Sequence, residues 1–299
     1  MRVAIASGKG GTGKTTVSAA LASVWTEAVG APVVAVDLDV EEPNLHLFLR
    51  PLITETRIAN LEIPVIDESL CTRCGSCREI CQFAAVTILG DTPMVFDEMC
   101  HGCGACAAVC PVAAIGPGSR ELGRIEEGAA GDIAFISGRL RVGEAMSPAL
   151  IRAVLARLEE LLAARATTPL PDVLCDAPPG VSCPAGAAVS RADAIVLVTE
   201  PTPFGIHDFK LAVEAFSPFG KPMAVVINRA GGTGLPDEEL RDICRTAKLP
   251  VLAEIPDDRA VAEAYARGRL LPEVSPAYRD LTRKLAQDVA RLVPEASHA

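Results

Sequence analysis

Eight cysteines between residues 71 and 110 repeat one spacing. Each run reads C-x2-C-x2-C-x3-C: two residues lie between successive members of the first three cysteines, and three residues lie between the third and the fourth. Thiolates bind both zinc and iron–sulfur clusters, so either metal is chemically possible. Zinc ribbons typically use C-x2-C pairs, whereas three cysteines at two-residue gaps favour two [4Fe–4S] clusters. The two runs are Cys71, Cys74, Cys77 and Cys81, and Cys100, Cys103, Cys106 and Cys110.

This spacing resembles that of bacterial two-cluster ferredoxins, in which the fourth cysteine of each run ligates the other cluster. The resemblance implies a crossed arrangement of ligands. Pro111 follows the second run as in ferredoxins, while Gln82 stands where ferredoxins often have proline. Cluster I would take Cys71, Cys74, Cys77 and Cys110, and cluster II would take Cys100, Cys103, Cys106 and Cys81.

A second motif, GKGGTGKT at residues 8–15, lies between an apolar strand (2–7) and a helix (14–29). It matches G-x-x-x-x-G-K-[ST], whose glycines let backbone N–H groups face phosphate oxygens at a helix N-terminus. Lys14 would neutralise the phosphates, and Thr15 would offer its hydroxyl to Mg²⁺. The predicted nucleotide-binding residues of this loop are Gly8, Lys9, Gly10, Gly11, Thr12, Gly13, Lys14, Thr15 and Thr16.

The early Lys9 makes this loop similar to the deviant Walker A motif of the MinD, ParA and nitrogenase iron-protein superfamily. In that family the lysine reaches the nucleotide of a second subunit, as an arginine finger does. The resemblance implies catalytic roles for Lys9, Lys14, Asp39 and Asp176, and Mg²⁺ ligation by Thr15, Asp37 and Asp39. It also implies adenine recognition by Asn228, Pro256 and Asp257. Taken singly, Asp37, Asn228 and Asp257 would be no more than strand-end caps.

Apolar strands at 2–7, 32–37, 172–176, 194–200, 223–228 and 251–256 alternate with helical patterns, including one at 147–166. This order predicts an α/β fold with a mostly parallel, doubly wound sheet of the P-loop NTPase type. The cysteines interrupt the series as a small α+β ferredoxin-like insertion. We therefore expect a first ATPase segment at 1–60, the inserted domain at 61–118 and a second ATPase segment at 119–299.

The composition limits the partners. A formal net charge of −10 disfavours non-specific binding to nucleic acid or anionic lipid. With no leader-like start or bilayer-spanning apolar run, we expect a cytoplasmic protein without stable membrane insertion.

The amphipathic segment 276–293 is expected to pack on the sheet. Cys175 and Cys244 are expected in the core, and Cys183 is either an inert thiol or a ligand to a third cluster between subunits.

As a whole, the chain resembles ferredoxin-bearing MinD-like ATPases. The resemblance implies a slow, Mg-dependent ATPase that sandwiches ATP in a homodimer, or in a heterodimer with a paralogue. The insertion follows the predicted switch I (37–45), so we expect nucleotide state to gate electron transfer to a redox or metallocofactor partner. Two alternatives stay open: an ATPase for iron–sulfur or metallocofactor assembly, and a positional or regulatory switch without redox output.

Overall fold

The computed structural model describes residues 1–164, 170–232, 234 and 236–293. The chain divides into two compact units. One comprises Met1–Thr56, Ile125–Arg139 and Ile151–Ala299, and the other comprises Arg57–Arg124 and Leu140–Leu150. All eight clustered cysteines lie in the second unit, which we call the cysteine unit. The boundary at 61–118 drawn from the sequence stays a prediction.

The β-strands alternate with helices through most of the first unit. They are β1 (Arg2–Ala6), β2 (Val33–Asp37), β3 (Leu52–Ile66), β4 (Val86–Leu89), β5 (Thr92–Val95), β6 (Ile115–Ala130), β7 (Ile133–Leu140), β8 (Asp172–Asp176), β9 (Ala194–Thr199), β10 (Met223–Ala230) and β11 (Val251–Pro256). The helices are α1 (Lys14–Val29), α2 (Leu45–Leu49), α3 (Ser76–Ile80), α4 (Ala105–Ala108), α5 (Ser147–Ala164), α6 (Cys183–Ser190), α7 (Pro203–Phe216), α8 (Asp237–Thr246), α9 (Arg259–Ala266) and α10 (Pro276–Ala290).

One large sheet has the strand order β11-β10-β9-β1-β8-β2-β7-β6-β3, and β4 pairs with β5 separately. The pairs from β11 to β7 are parallel. Only two residues join β6 to β7, so these two neighbours form an antiparallel hairpin. The predicted α/β fold with a large, mostly parallel sheet is therefore confirmed.

The central strands are buried on both faces, as their runs of Val, Ile and Ala predict. Trp25 of α1 is fully buried and donates its indole N–H to Asp172. Leu285 and Val289 of α10 join the same apolar core, so this amphipathic helix covers the sheet. No helix in the described ranges is long and apolar enough to cross a membrane.

Two elements differ in extent from the sequence expectation. The sequence pattern predicts only a short strand near Val65 and Ile66, whereas β3 spans 15 residues, and β6 spans 16 residues. Both strands begin in one unit and end in the other along the chain. Of the helix expected at 147–166, α5 covers 147–164, and residues 165 and 166 lie outside the described part.

Candidate functional sites

The loop between β1 and α1 requires glycine at specific points. Gly13 has φ 93°, and a Cβ there would lie 2.2 Å from Nδ2 of Asn228. A Cβ on Gly8 would lie 2.0 Å from the carbonyl oxygen of Asp208. The loop therefore presses against two other segments, and a side chain at either position would displace it.

A cavity of about 370 Å³ lies over this loop. Most of the nucleotide-site residues expected from the sequence line it: Lys9, Gly10, Gly11, Gly13, Lys14, Thr15, Thr16, Asp39, Asn228, Pro256 and Asp257. The predicted residues Gly8, Thr12, Asp37 and Asp176 do not line this cavity.

Asp176, at the end of β8, accepts hydrogen bonds from three side chains at the start of α1. Its carboxylate accepts hydrogen bonds from Lys14 Nζ at 2.7 Å, Thr15 Oγ1 at 2.7 Å and Ser18 Oγ at 2.8 Å. β1 and β2 flank β8, so Asp37 lies directly opposite Asp176. The structure thus brings the predicted Walker B aspartate against the phosphate lysine and the predicted Mg²⁺ hydroxyl.

Asp37 and Asp39 differ in their surroundings. The carboxylate of Asp37 is fully buried and accepts the backbone N–H groups of Asp39 and Leu45. Burial, followed by the nearby carboxylate of Asp176, raises the pKa of Asp37 to about 8. Burial also raises the pKa of Asp39 to about 6, against the opposing charge of Lys14. Asp37 therefore shapes the loop, while Asp39 faces the cavity.

The loop carries an unmatched polar group that suits a phosphate. The hydroxyl of Thr12 is buried and finds no hydrogen-bond partner within the described residues. Nδ2 of Asn228 donates to the carbonyl oxygen of Thr12 at 2.8 Å, which ties β10 to the loop. A phosphate accepts both a free hydroxyl and loop N–H groups, so these residues fit a nucleotide with Mg²⁺.

Lys9 is held within its own chain. Its Nζ lies 2.7 Å from Oε1 of Glu200, and Oε2 of the same carboxylate lies 2.6 Å from Arg229. Sequence reasoning missed Glu200 and Arg229. It also missed Ser18, one turn beyond Lys14, and Tyr265, which lines the cavity from α9. Of these four residues, Ser18 could have been found from its spacing, because it lies one helical turn after Lys14. The positions of Glu200, Arg229 and Tyr265 carry no comparable signal in the sequence.

Two cavities of the cysteine unit are each lined by four of its cysteines. The larger, of about 230 Å³, is lined by Cys81, Cys100, Cys103 and Cys106. The smaller, of about 20 Å³, is lined by Cys71, Cys74, Cys77 and Cys110. In both cases the fourth cysteine of one run joins three cysteines of the other. A volume of 20 Å³ holds about one water, so this second set would have to open to admit a cluster.

The two halves of the unit repeat each other at an offset of 29 residues. Left-handed glycines precede α3 and α4, at Gly75 and Gly104. Ala84 and Ala113 both have φ 52°, three residues after a fourth cysteine. The following backbone N–H groups, of Ala85 and Ala114, donate to Sγ of Cys81 and Cys110, each at 3.3 Å.

This donor chemistry fits a thiolate-ligated cluster, because N–H groups aimed at sulfur stabilise thiolate charge. A third such bond joins Gly102 N–H to Sγ of Cys100. Among the described residues, no three His, Cys, Asp or Glu side chains form a group that could hold a single metal ion. A cluster distributes its thiolates over four irons, so its ligands need not converge on one ion.

The other three cysteines lie outside these cavities. Cys175 and Cys244 are buried, and burial raises the pKa of their thiols to about 12 and about 11. Both are therefore thiols at neutral pH and act as small core residues. Cys183 is exposed at the start of α6.

Comparison with known proteins agrees with this architecture. The uncharacterized protein MJ0578 of Methanocaldococcus jannaschii is 35% identical over 234 residues, which cover 77% of this chain and 79% of its own. Its neighbour in name, MJ0579 of the same organism, is 27% identical over 279 residues, or 90% of each chain. The structure of the septum site-determining protein MinD from Pyrococcus horikoshii OT3, complexed with Mg-ADP, shares the fold. It has a TM-score of 0.59 at 21% identity and covers 97% of this chain and 96% of that chain.

Residues 3–271 match the family described as the CobQ/CobB/MinD/ParA nucleotide binding domain. This match spans the phosphate loop, Asp176 and the strands that carry Asn228 and Pro256. The chain therefore belongs to the CobQ/CobB/MinD/ParA nucleotide-binding family.

Proposed function

We propose that this protein is a Mg-dependent ATPase that carries two [4Fe–4S] clusters and whose nucleotide state gates electron transfer to a partner. The observation that carries the proposal is the crossed grouping of eight cysteines around two cavities, in a chain that also has a phosphate loop. The clusters would supply one-electron chemistry. The first unit would supply the nucleotide-driven change of state.

At the nucleotide, Lys14 and the loop N–H groups bind phosphate oxygens, and Thr15 would hold Mg²⁺, which would neutralise phosphate charge. Lys14 and Thr15 both donate to the carboxylate of Asp176, and both side chains would have to turn from it to reach a phosphate and Mg²⁺. Asp39 orients the attacking water. The water oxygen bonds to the γ-phosphorus as the bond to the ADP oxygen breaks, and the proton leaves to solvent. Lys9 of a second copy stabilises the charge that develops.

The route from nucleotide to clusters follows chain connectivity. Asp39 lies in the loop after β2, α2 follows this loop, and β3 then leads into the cysteine unit. Loops that contact the terminal phosphate are the segments that change with nucleotide state in switch proteins. A change at Asp39 would therefore be passed on to the next segments of the chain.

The test is the metal content and the nucleotide affinity of anaerobically purified protein. We expect about eight irons per chain and a broad absorbance near roughly 400 nm that fades on reduction. The double variant Cys71→Ser/Cys100→Ser, purified in the same way, should lose most of this iron while still binding ATP. Zinc in place of iron after anaerobic expression would contradict the proposal.

A second candidate is a MinD-like positional or regulatory switch without redox output. The observation that favours it is the fold likeness to MinD across nearly the whole chain. An ATPase that delivers clusters to client proteins is the remaining alternative. Transfer of iron from the protein to an apo-ferredoxin, dependent on ATP, would identify a carrier. Retained iron with ATP-dependent reduction of a redox partner would identify electron transfer.

A further inference from the structure

One buried carboxylate lies between two cations at the nucleotide cavity. Glu200 directly follows β9 and is 5% exposed. Its Oε1 lies 2.7 Å from Lys9 Nζ and accepts the Thr202 hydroxyl at 3.2 Å, and its Oε2 lies 2.6 Å from Arg229. Lys9 and Arg229 both line the cavity. We call these three charged side chains the Lys9 triad.

Gly205 and Thr202 fix the position of the Glu200 side chain. A Cβ on Gly205 would lie 2.3 Å from the carbonyl oxygen of Glu200 and 2.9 Å from its Cγ, so only glycine leaves room here. The Thr202 side chain caps α7 by accepting the N–H of Gly205 at 2.9 Å. Burial alone would raise the pKa of Glu200, but the hydrogen bonds and charges of Lys9 and Arg229 hold it below its usual value. Glu200 is therefore an ionised, fixed anion.

This inference rests on the proposed function, in which Lys9 acts on the nucleotide of a second copy. We propose that Glu200 is a latch: it holds Lys9 within its own chain, and Arg229 keeps the carboxylate paired when Lys9 leaves. Lys9 cannot contact Glu200 and the phosphates of another chain at the same time. A single chain is thus held with its hydrolytic lysine withdrawn.

Arg229 is what makes the exchange possible. A buried carboxylate that loses its only cation is strongly destabilised. Because Arg229 already bonds the second oxygen, departure of Lys9 leaves Glu200 paired. The guanidinium can also take both oxygens in a fork, which an ammonium cannot do. Glu200 is a positioning residue in this scheme, since it acts through Lys9.

The latch is tested without nucleotide by the rate at which acetic anhydride acetylates Lys9, followed by mass spectrometry. Glu200→Gln should speed this acetylation several-fold, because the ammonium loses its anion. Arg229→Gln should slow the acetylation of Lys9, because the carboxylate of Glu200 then pairs with Lys9 alone. The control is Glu127→Gln, which removes another buried carboxylate, one paired with Arg157, and should leave the rate at Lys9 unchanged.

An unchanged Lys9 rate in Glu200→Gln, or a faster rate in Arg229→Gln, would overturn the latch. If Glu200→Gln does not fold, as judged by circular dichroism, the Arg229→Gln result decides alone. The opposite signs matter because a merely structural loss would expose Lys9 in both variants.

Hydrolysis supplies the second readout. In dilute protein, Glu200→Gln should raise the ATPase rate several-fold, and it should have no effect in a Lys9→Ala background. A lower rate in Glu200→Gln with ATP affinity unchanged would contradict the latch. Failure of the wild-type protein to bind or hydrolyse ATP would instead refute the proposed function, while the acetylation rates would still decide the latch.

Discussion

The ammonium of Lys14 and the carboxylate of Asp176 lie 2.7 Å apart, although the two residues are 162 positions apart in the sequence. Both side chains are almost fully buried. Their meeting depends on β1 and β8 being neighbours in the parallel sheet. We therefore expect this ion pair both to stabilise the fold of the first unit and to take part in nucleotide binding.

Lys14→Ala should abolish ATP binding and also destabilise the first unit, because it leaves Asp176 buried without its cation. Loss of one partner of a buried pair costs about 3–5 kcal/mol. Lys210→Ala is the control, since Lys210 and Glu239 form an exposed pair at 3.8 Å, and such pairs contribute about 0–1 kcal/mol. Urea unfolding and ATP titration measure the two effects. Equal stability of the two variants would contradict the role of this pair.

Lys9→Ala should leave ATP affinity largely intact and suppress hydrolysis and ATP-dependent dimerisation. Fingers that act across an interface contribute about 10³–10⁵ in rate. Titration with a fluorescent ATP analogue, sedimentation and phosphate release separate the three properties. If Lys9→Ala loses as much affinity as Lys14→Ala, Lys9 acts within its own site.

Cys110→Ser should damage the cluster held by Cys71, Cys74 and Cys77, although Cys110 belongs to the second run. The cavity grouping gives the physical reason, because Cys110 lines the same cavity as those three. Electron paramagnetic resonance of the reduced protein separates the two cluster signals. The exposed Cys183→Ser is the control and should leave both signals intact. Loss of the other signal alone would show that the ligands are not crossed.

Arg120→Gln should loosen the loop that carries Cys100. Arg120 is buried, donates to the carbonyl oxygen of Cys100 at 3.4 Å and forms an ion pair with Glu144, whose side chain is 1% exposed. Glu144 would keep only Arg141, at 3.8 Å, and the N–H groups of Ala145 and Met146, so the local stability should fall. Hydrogen exchange of β6 measures the change. The exposed pair of Arg259 and Glu263 is the control, and Arg259→Gln should have no such effect.

The sequence predicted the sheet and the phosphate loop because their signals are local. Strand β1, the loop glycines and α1 lie within one continuous stretch, and each cavity-lining residue of the loop follows from the motif. Asp39 and Asn228 came from resemblance, since a polar residue after a strand has many structural uses. The roles expected of these residues stay predictions.

The Lys9 triad could not be predicted in this way. Glu200 follows a strand like many capping residues, and only the order of β9 and β1 in the sheet brings it to Lys9. The length of β3 was missed for another reason. Its first part, residues 52–57, is exposed throughout and has four consecutive polar residues after Leu52 and Ile53, so it lacks the buried apolar pattern that marks the central strands.

The coupling of nucleotide to clusters is the central claim, and a redox titration followed by electron paramagnetic resonance tests it most directly. The titration is run without nucleotide, with ADP, and with a non-hydrolysable ATP analogue. Coupling free energies between sites are typically about 1–3 kcal/mol, which for one electron shifts a reduction potential by roughly 40–130 mV. We expect such a shift with the ATP analogue, and its loss in Asp39→Asn with both clusters still present. Potentials and line shapes that are identical in all three conditions would contradict nucleotide control of the clusters.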